Sequence, residues 1–283
     1  MAPVKSELPP VPDALPAPVT DSHCHLDVAE AYSGLDPAEA LERAAAVGIT
    51  RIVQVGCDLP SSRWALEAAQ RWPSVVATVA LHPNDAARAG DDLPAQLDEL
   101  AAMVAEHAPG RRLRGVGETG LDHFRTPDAE GRQRQRESFA AHIRLAREHD
   151  LTLVIHDRDA HDDVLDVLDA EGGVERVVMH CFSGDADFAR RCLDRGAWLS
   201  FPGTVTFKPN QHLRDALALT PLDRLLTETD APFLTPVPHR GHPNASFLVP
   251  LTVRFLAEQR GMELEPLCAA LHDNASAAFG GSW

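Results

Sequence analysis

Eight short apolar runs, each followed by a polar cluster and then a helix-forming stretch, constrain this chain more than any other feature. The runs are Ala17–Thr20, Arg51–Val55, Val75–Leu81, Leu113–Val116, Leu151–Ile155, Arg176–Met179, Trp198–Phe201 and Arg224–Leu226. Val, Ile and Leu dominate them, which suits parallel strands buried on both faces. Helical signals fill the gaps. Asp36-Pro37 ahead of AEALERAAAVG supplies an N-cap, a proline at the first helical position and Gly48 as a stop. Arg134–Glu148 places Phe139, Ile143 and Ala146 on one helical side, and Asp185 precedes a further helix that closes at Gly196. Leu248–Gln259 and Leu264–Ala278 carry the alternation towards the C-terminus. Strand and helix alternating eight times predict an α/β fold of the (β/α)8 TIM-barrel type, a single domain over 18–283. A doubly wound open sheet is the alternative, but no GxGxxG follows the first run. Residues 1–17 carry five prolines and predict a short, flexible and poorly ordered arm.

At 283 residues and 44% apolar content the chain can bury a sizeable core without disulfide or metal staples. Its five cysteines, Cys24, Cys57, Cys181, Cys192 and Cys268, are odd in number and form no CxxC pair. That pattern points to a reducing compartment, and with no secretory signal to a cytoplasmic protein. No apolar run approaches the ~20 residues of a membrane span. Acidic residues outnumber basic ones by 42 to 26, for a net charge of −16. A protein that coats duplex DNA needs a basic surface, so that class is excluded, whereas an enzyme that meets phosphates at a metal is not.

The chemistry sits where the apolar runs end. Asp21-Ser22-His23-Cys24-His25-Leu26-Asp27 follows the first, His82-Pro83 the third, Gly117-Glu118-Thr119-Gly120-Leu121-Asp122 the fourth, His156-Asp157-Arg158 the fifth, His180-Cys181 the sixth and Glu228-Thr229-Asp230 the eighth. In a barrel the C-terminal strand ends share one rim, so these residues converge. His23 and His25, two apart on an extended strand, point the same way and suit a borderline ion such as Zn²⁺ or Mn²⁺, with Cys24 facing the core. Four imidazoles (His23, His25, His156, His180) with Glu118 and Asp230 exceed one tetrahedral site and suit two divalent ions, Zn, Mn or Mg, that share a carboxylate. Glu118 is the candidate bridge, and Asp230 the candidate ligand and acceptor of the attacking water's proton. Asp122 and Asp157 read as supporting groups, and Cys57 and Cys181 as inert, since no base or oxyanion site marks either as a nucleophile. Arg125, Arg158, Lys208 and Arg240 fall in positions after strands where a phosphate could be met.

These residues carry a resemblance. DSHCHLD at 21–27, LHPNDA at 81–86, VGETGLDHFR at 116–125, VIHDRDA at 154–160, HCFSG at 180–184, SFPGTVTFK at 200–208, LLTETDAPFLTP at 225–236 and NASAAF at 274–279 are similar, in order, to the motifs of the TatD-type metal-dependent deoxyribonucleases, within the amidohydrolase-like barrel superfamily. The resemblance implies that His23, His25, Glu118 and Asp230 hold one metal, that Glu118, His156 and His180 hold another, and that His82, Arg158 and Arg240 line the substrate cleft. It implies hydrolysis of DNA phosphodiesters at strand ends. Three departures bear on substrate preference: the last loop reads Arg240-Gly241-His242-Pro243-Asn244-Ala245-Ser246 in place of RGxxNEP, His123 replaces a common tyrosine, and His142 a common glutamine.

The expected function is therefore a divalent-metal hydrolase of DNA or a nucleotide-type substrate, acting as a monomer. The alternatives are a barrel hydrolase of a small ester, lactone or amide, and a catalytically silent metal-binding scaffold.

Overall fold

Strands buried on both faces are made of consecutive apolar residues, and these pair in sequence order. A computed structural model, which describes residues 7–110, 112–280 and 283, contains β1 (Val19–Cys24), β2 (Ile49–Val55), β3 (Val75–Val79), β4 (Leu113–Asp122), β5 (Thr152–Arg158), β6 (Val177–Met179), β7 (Trp198–Phe201) and β8 (Leu225–Thr227). Each is hydrogen-bonded in parallel to the next, in the order β1 to β8. Helices between strands complete a single α/β domain, a near-closed TIM-type barrel.

Alternate residues of each strand face opposite ways, and the two buried clusters show it. Ile52, Val75, Leu153, Ile155, Met179 and Leu199 pack outward with the helices, including Phe139 and Ile143 of helix Ala129–Glu148. Val53, Val55, Val76, Val154, Val178, Trp198 and Leu226 meet Ala275, Ala278 and Phe279 of the C-terminal helix Leu264–Phe279. That helix floors the barrel, and Thr152 Oγ1 donates to the Ala278 carbonyl at 2.6 Å.

The expected helix starts follow their caps. Asp36 accepts the amides of Ala38 and Glu39 at the head of helix Pro37–Ala46, and Asp185 those of Asp187 and Phe188 at Ala186–Leu193. The helix expected from Arg134 begins earlier, at Ala129, because Asp128 caps it by accepting the Gly131 amide at 2.7 Å.

β1 and β8 close the ring without a continuous ladder. Ser22 Oγ donates to the Thr227 carbonyl at 2.9 Å, the Asp230 amide to the His23 carbonyl at 3.0 Å, and the His25 amide to the Ala231 carbonyl at 2.9 Å. The buried Asp21 carboxylate accepts both the amide (2.9 Å) and the hydroxyl (2.7 Å) of Thr229.

The described part of the arm has no helix or strand before β1. Residues 7–17 lie against the barrel: the Leu15 amide donates to the Val47 carbonyl at 3.0 Å, and Leu15 is buried beside Gly48. Arg254 donates to the carbonyls of Asp13 and Ala14, each at 2.9 Å, and His242 to that of Glu7 at 2.9 Å. Prolines remove amide donors but leave carbonyls free to accept, so an arm without secondary structure is still tied down. The first six residues of the expected flexible arm lie outside the described residues. No described helix is long and apolar enough to cross a membrane.

Candidate metal centre and cleft

The inward rows of the barrel change character at its C-terminal end. Val154 is followed two residues on by His156, Val178 by His180, Leu226 by Glu228 and Val55 by Cys57. Glu118 reaches the same space by another route. The pairing of β4 with β5 slips between Val116 and Thr119, and Gly117, at φ +154°, turns the chain there. A Cβ on Gly117 would lie 2.5 Å from Val154, so glycine is required.

Glu118 is the hub, and its two oxygens face different partners. Oε1 lies 3.7 Å from His23 Nε2, 3.6 Å from His25 Nε2 and 3.3 Å from Cys57 Sγ. Oε2 lies 2.9 Å from His180 Nε2, 3.2 Å from His156 Nδ1 and 3.9 Å from His82 Nε2. Asp230 Oδ1 closes the first group, 3.8 Å from His23 Nε2 and 3.4 Å from His25 Nε2. All six residues expected to hold metal therefore converge, across more than 200 positions of sequence. His23 is in β1, while His25 lies just past it, its turn held by Gln54, which accepts the Leu26 amide at 2.7 Å and donates to Asp27 at 2.8 Å.

Neighbouring groups orient the imidazoles. Glu228 Oε1 meets His180 Nδ1 at 3.0 Å and accepts the Cys181 amide at 2.7 Å, leaving Nε2 to face Glu118. Asp122, expected as a supporting group, lies 3.4 Å from His156 Nε2 and accepts the Arg125 amide at 2.8 Å. The Val55 carbonyl lies 3.2 Å from His25 Nδ1. Such partners fix tautomer and ring direction.

Burial opposes charge throughout the cluster, yet the carboxylates stay ionised. Burial alone would raise Glu118, but His180, His82 and His156 hold it well below the usual carboxyl range. Asp230 is likewise held down, against burial, by His25 and His180. Burial depresses the imidazoles of His23 and, to about 3, of His82. It is overridden at His25, raised to about 9 by Asp230 and Glu118, and at His180, raised by Glu228 and Glu118. Buried carboxylates need positive charge close by. Protonated imidazoles or cations can supply it.

The residues fit cations. His23 is fully buried with neither ring nitrogen hydrogen-bonded, which is costly unless a ligand takes them. Separations of 3.4–3.8 Å within the first group are too long for hydrogen bonds. They range from the roughly 3.3–3.4 Å between two ligands of one tetrahedral ion at ~2.0–2.1 Å to about 0.5 Å beyond it, so the donors would draw in slightly around an ion. His23, His25 and Asp230 form one compact donor group, and His23, Glu118 and His180 another. Imidazole nitrogen with carboxylate oxygen suits Zn²⁺ or Mn²⁺.

The cluster opens into a cleft of about 700 Å³ lined by His82, Arg125 and Arg158 among others. The Arg158 guanidinium lies 4.1 Å above the Phe124 ring and, among the described residues, pairs with no carboxylate. Arg240, expected in the cleft, is not among its lining residues; its guanidinium lies over the Phe207 ring at 4.0 Å. Lys208 does not line the cleft either. In the altered last loop Asn244 donates to the carbonyls of Thr229 (2.9 Å) and Phe233 (2.7 Å), bracing the segment that carries Asp230. Sequence reasoning named Glu228 on the rim without giving it a role, and read Cys57 as inert. Both lie at even spacing from inward valine or leucine, the signal that could have found them.

Comparison with known proteins agrees with this geometry. Residues 20–280 match the family model of the TatD related DNases. An uncharacterized metal-dependent hydrolase, TatD, of Mycobacterium tuberculosis is 44% identical over 268 residues, covering 94% of this chain and 99% of that protein. The uncharacterized metal-dependent hydrolase YcfH of Escherichia coli is 37% identical over 271 residues, covering 92% and 95%. The crystal structure of YJJV, a TatD homologue from Escherichia coli, superposes with a TM-score of 0.84 at 29% identity, covering 92% of this chain and 97% of that one. The strand order, the converging histidines and carboxylates and these likenesses agree: the chain belongs to the TatD-related DNase family.

Proposed function

We propose that this chain, a metal-dependent hydrolase of the TatD family, cleaves DNA phosphodiester bonds at strand ends. One observation carries the reading: a hub carboxylate ringed by imidazoles opens into a cleft whose side chains include Arg125 and Arg158, the latter without a carboxylate partner among the described residues. His23, His25, Glu118 and Asp230 would hold one divalent ion, and Glu118, His156 and His180 a second. Such ions supply Lewis-acid polarisation of a phosphoryl oxygen and acidify water.

The chain's own groups divide the remaining work. Of the two carboxylates, Asp230 reaches solvent, with its side chain 17% exposed against 6% for Glu118. Asp230 is therefore the one placed to take the attacking water's proton, and Glu118 the one placed to bridge. Arg158 and Arg125 meet phosphate oxygens, and stacking on Phe124 holds the Arg158 fork in place. His82, its Nδ1 accepting the Asn84 amide at 3.0 Å, presents Nε2 to the cleft as a donor. A net charge of −16 favours local capture of an end over binding along a duplex. The five free cysteines fit a reducing compartment, and we place the protein in the cytoplasm as a monomer.

The cleft's size favours one second reading. About 700 Å³ is ordinary for a small-molecule site, so a small ester, lactone or amide is the competing substrate class. The test is to measure metal content, then assay with Mg²⁺, Mn²⁺ or Zn²⁺ on end-labelled single- and double-stranded DNA beside a chromogenic phosphodiester and neutral esters and amides. Metal-dependent shortening of DNA from its ends is expected. Turnover confined to esters or amides would replace the DNA reading, and none on any substrate with metal bound would leave a silent scaffold.

A further inference from the structure

Cys57 was expected to be inert, but its position is that of a donor. It follows β2, two residues past the inward Val55, and its main chain is pinned on both sides. Its amide donates to Ser61 Oγ at 2.9 Å, and its carbonyl accepts the His82 amide at 2.7 Å. The thiol so presented lies 3.3 Å from Glu118 Oε1 and 3.9 Å from His25 Nδ1. His25, Cys57 and Glu118 can each offer one ligand atom within 4.8 Å of the others. A second, independent feature points to a ligand at the same oxygen: fully buried His23, without a hydrogen bond at either ring nitrogen, directs Nε2 at Glu118 Oε1. Sulfur and oxygen bound to one ion at ~2.3 and ~2.0 Å sit about 3.5 Å apart in a tetrahedral arrangement, close to the separation found here.

We propose that Cys57, together with His25 and Glu118, is a sulfur ligand of an ion bound beside Glu118 Oε1 and biases the metal centre towards thiophilic divalent ions, such as zinc, cobalt or cadmium, over magnesium and manganese. The proposal rests on the metal-centre reading above and sharpens it. Imidazole and carboxylate donors accept all of these ions, whereas a thiolate discriminates by softness. Binding displaces the thiol proton to solvent and forms one metal–sulfur bond; no redox change is involved.

The test reads the metal directly, not turnover. Full-length protein is loaded with Co²⁺ alone, and its absorption is recorded beside C57S, C57A and C181S, the last a control because Cys181 also lines the cleft. Wild type and C181S should show a near-ultraviolet sulfur-to-cobalt charge-transfer band. C57S and C57A should lose it while keeping the visible d–d bands of bound cobalt, which also reports that they remain folded. Competition should show the preference for Cd²⁺ over Mn²⁺ falling by at least ~10-fold in C57S. Cobalt bound in wild type without a sulfur band, or a band that persists in C57S, overturns the assignment to Cys57 and leaves the metal centre standing. Failure of wild type to bind cobalt, zinc or manganese overturns the centre and the sulfur ligand together.

Discussion

The two ends of the barrel interior are built from the same strands, yet one is a packed hydrocarbon floor and the other a crowd of ionisable groups. Val154, Val178 and Leu226 meet Ala278 and Phe279 at the floor, and two residues further along the same rows stand His156, His180 and Glu228. The floor is held mainly by packing, with the Thr152–Ala278 hydrogen bond beside it. The rim holds buried carboxylates against imidazoles with unpartnered ring nitrogens, an arrangement that costs stability unless a ligand completes it. The contrast teaches that stability and chemistry are segregated along the barrel axis, so substitutions at the two ends should separate them.

The largest effect should come from the rim. Asp230→Asn keeps the shape and loses the basic oxygen; turnover on a chromogenic phosphodiester should drop at least ~10²–10⁴-fold, measured at saturating metal with occupancy checked. Thermal stability should barely change. Near-wild-type turnover at full occupancy would remove Asp230 from the proton-transfer role.

At the floor, Phe279→Ala should do the opposite. Phe279 is fully buried, and its truncation should cost about 3–5 kcal/mol in urea-melt stability while turnover per folded molecule stays unchanged. A loss of turnover with intact stability would show that the two ends are not separable.

Support for the rim from outside the barrel should be visible in acid. His142, on helix Ala129–Glu148, accepts the Leu81 amide at 3.0 Å beside the cleft residue His82, and burial lowers its pKa to about 4 from 6.5. The unfolded chain therefore binds the extra proton first, so stability falls as pH drops from about 6.5 to about 4 and levels off below. The loss amounts to roughly 3 kcal/mol. His142→Gln has nothing to titrate there and should make that limb shallower in melts taken across the window, the remainder belonging to His23 and His82, which burial also depresses. An unchanged limb would assign the acid sensitivity to other groups.

The smallest effect distinguishes two arginines. Arg158→Ala should lower turnover on phosphodiesters about 10-fold more than on neutral esters, in line with the ~1.4 kcal/mol that tenfold represents and the loss of a phosphate-directed fork. Arg240→Ala, lacking a place among the cleft residues, should leave the two substrates equally served. Equal losses on both substrates for Arg158→Ala would count against phosphate recognition.

Most of the floor was legible in the sequence, because strands buried on both faces leave unbroken runs of Val, Ile and Leu. The strand ends were not. β4 and β5 continue through Asp122 and Arg158, well past their apolar runs, because inward positions turn polar while backbone pairing continues. The converging histidines and carboxylates could be named since each follows such a run. Glu228 was named without a role because it holds His180 from behind, and Arg240 stands over Phe207 and outside the cleft lining because position in a loop does not say which way the loop folds. The tethers of residues 7–17 were not legible for a related reason: hydrogen bonds made through their carbonyls have no signature in residue type.

The seam between β1 and β8 has a consequence for synthesis of the chain. His23 and His25 leave the ribosome more than 200 residues ahead of Asp230, and Asp21 has no Thr229 to grip until then. A nascent or truncated chain that stops short of Asp230 can build strands and helices, but it cannot assemble the first donor group. Closure over so long a span is a late and slow event in folding. Full-strength capture of an ion by His23, His25 and Asp230 would thus mark a chain made at least through Asp230, and copies that stop before it would carry no complete donor group.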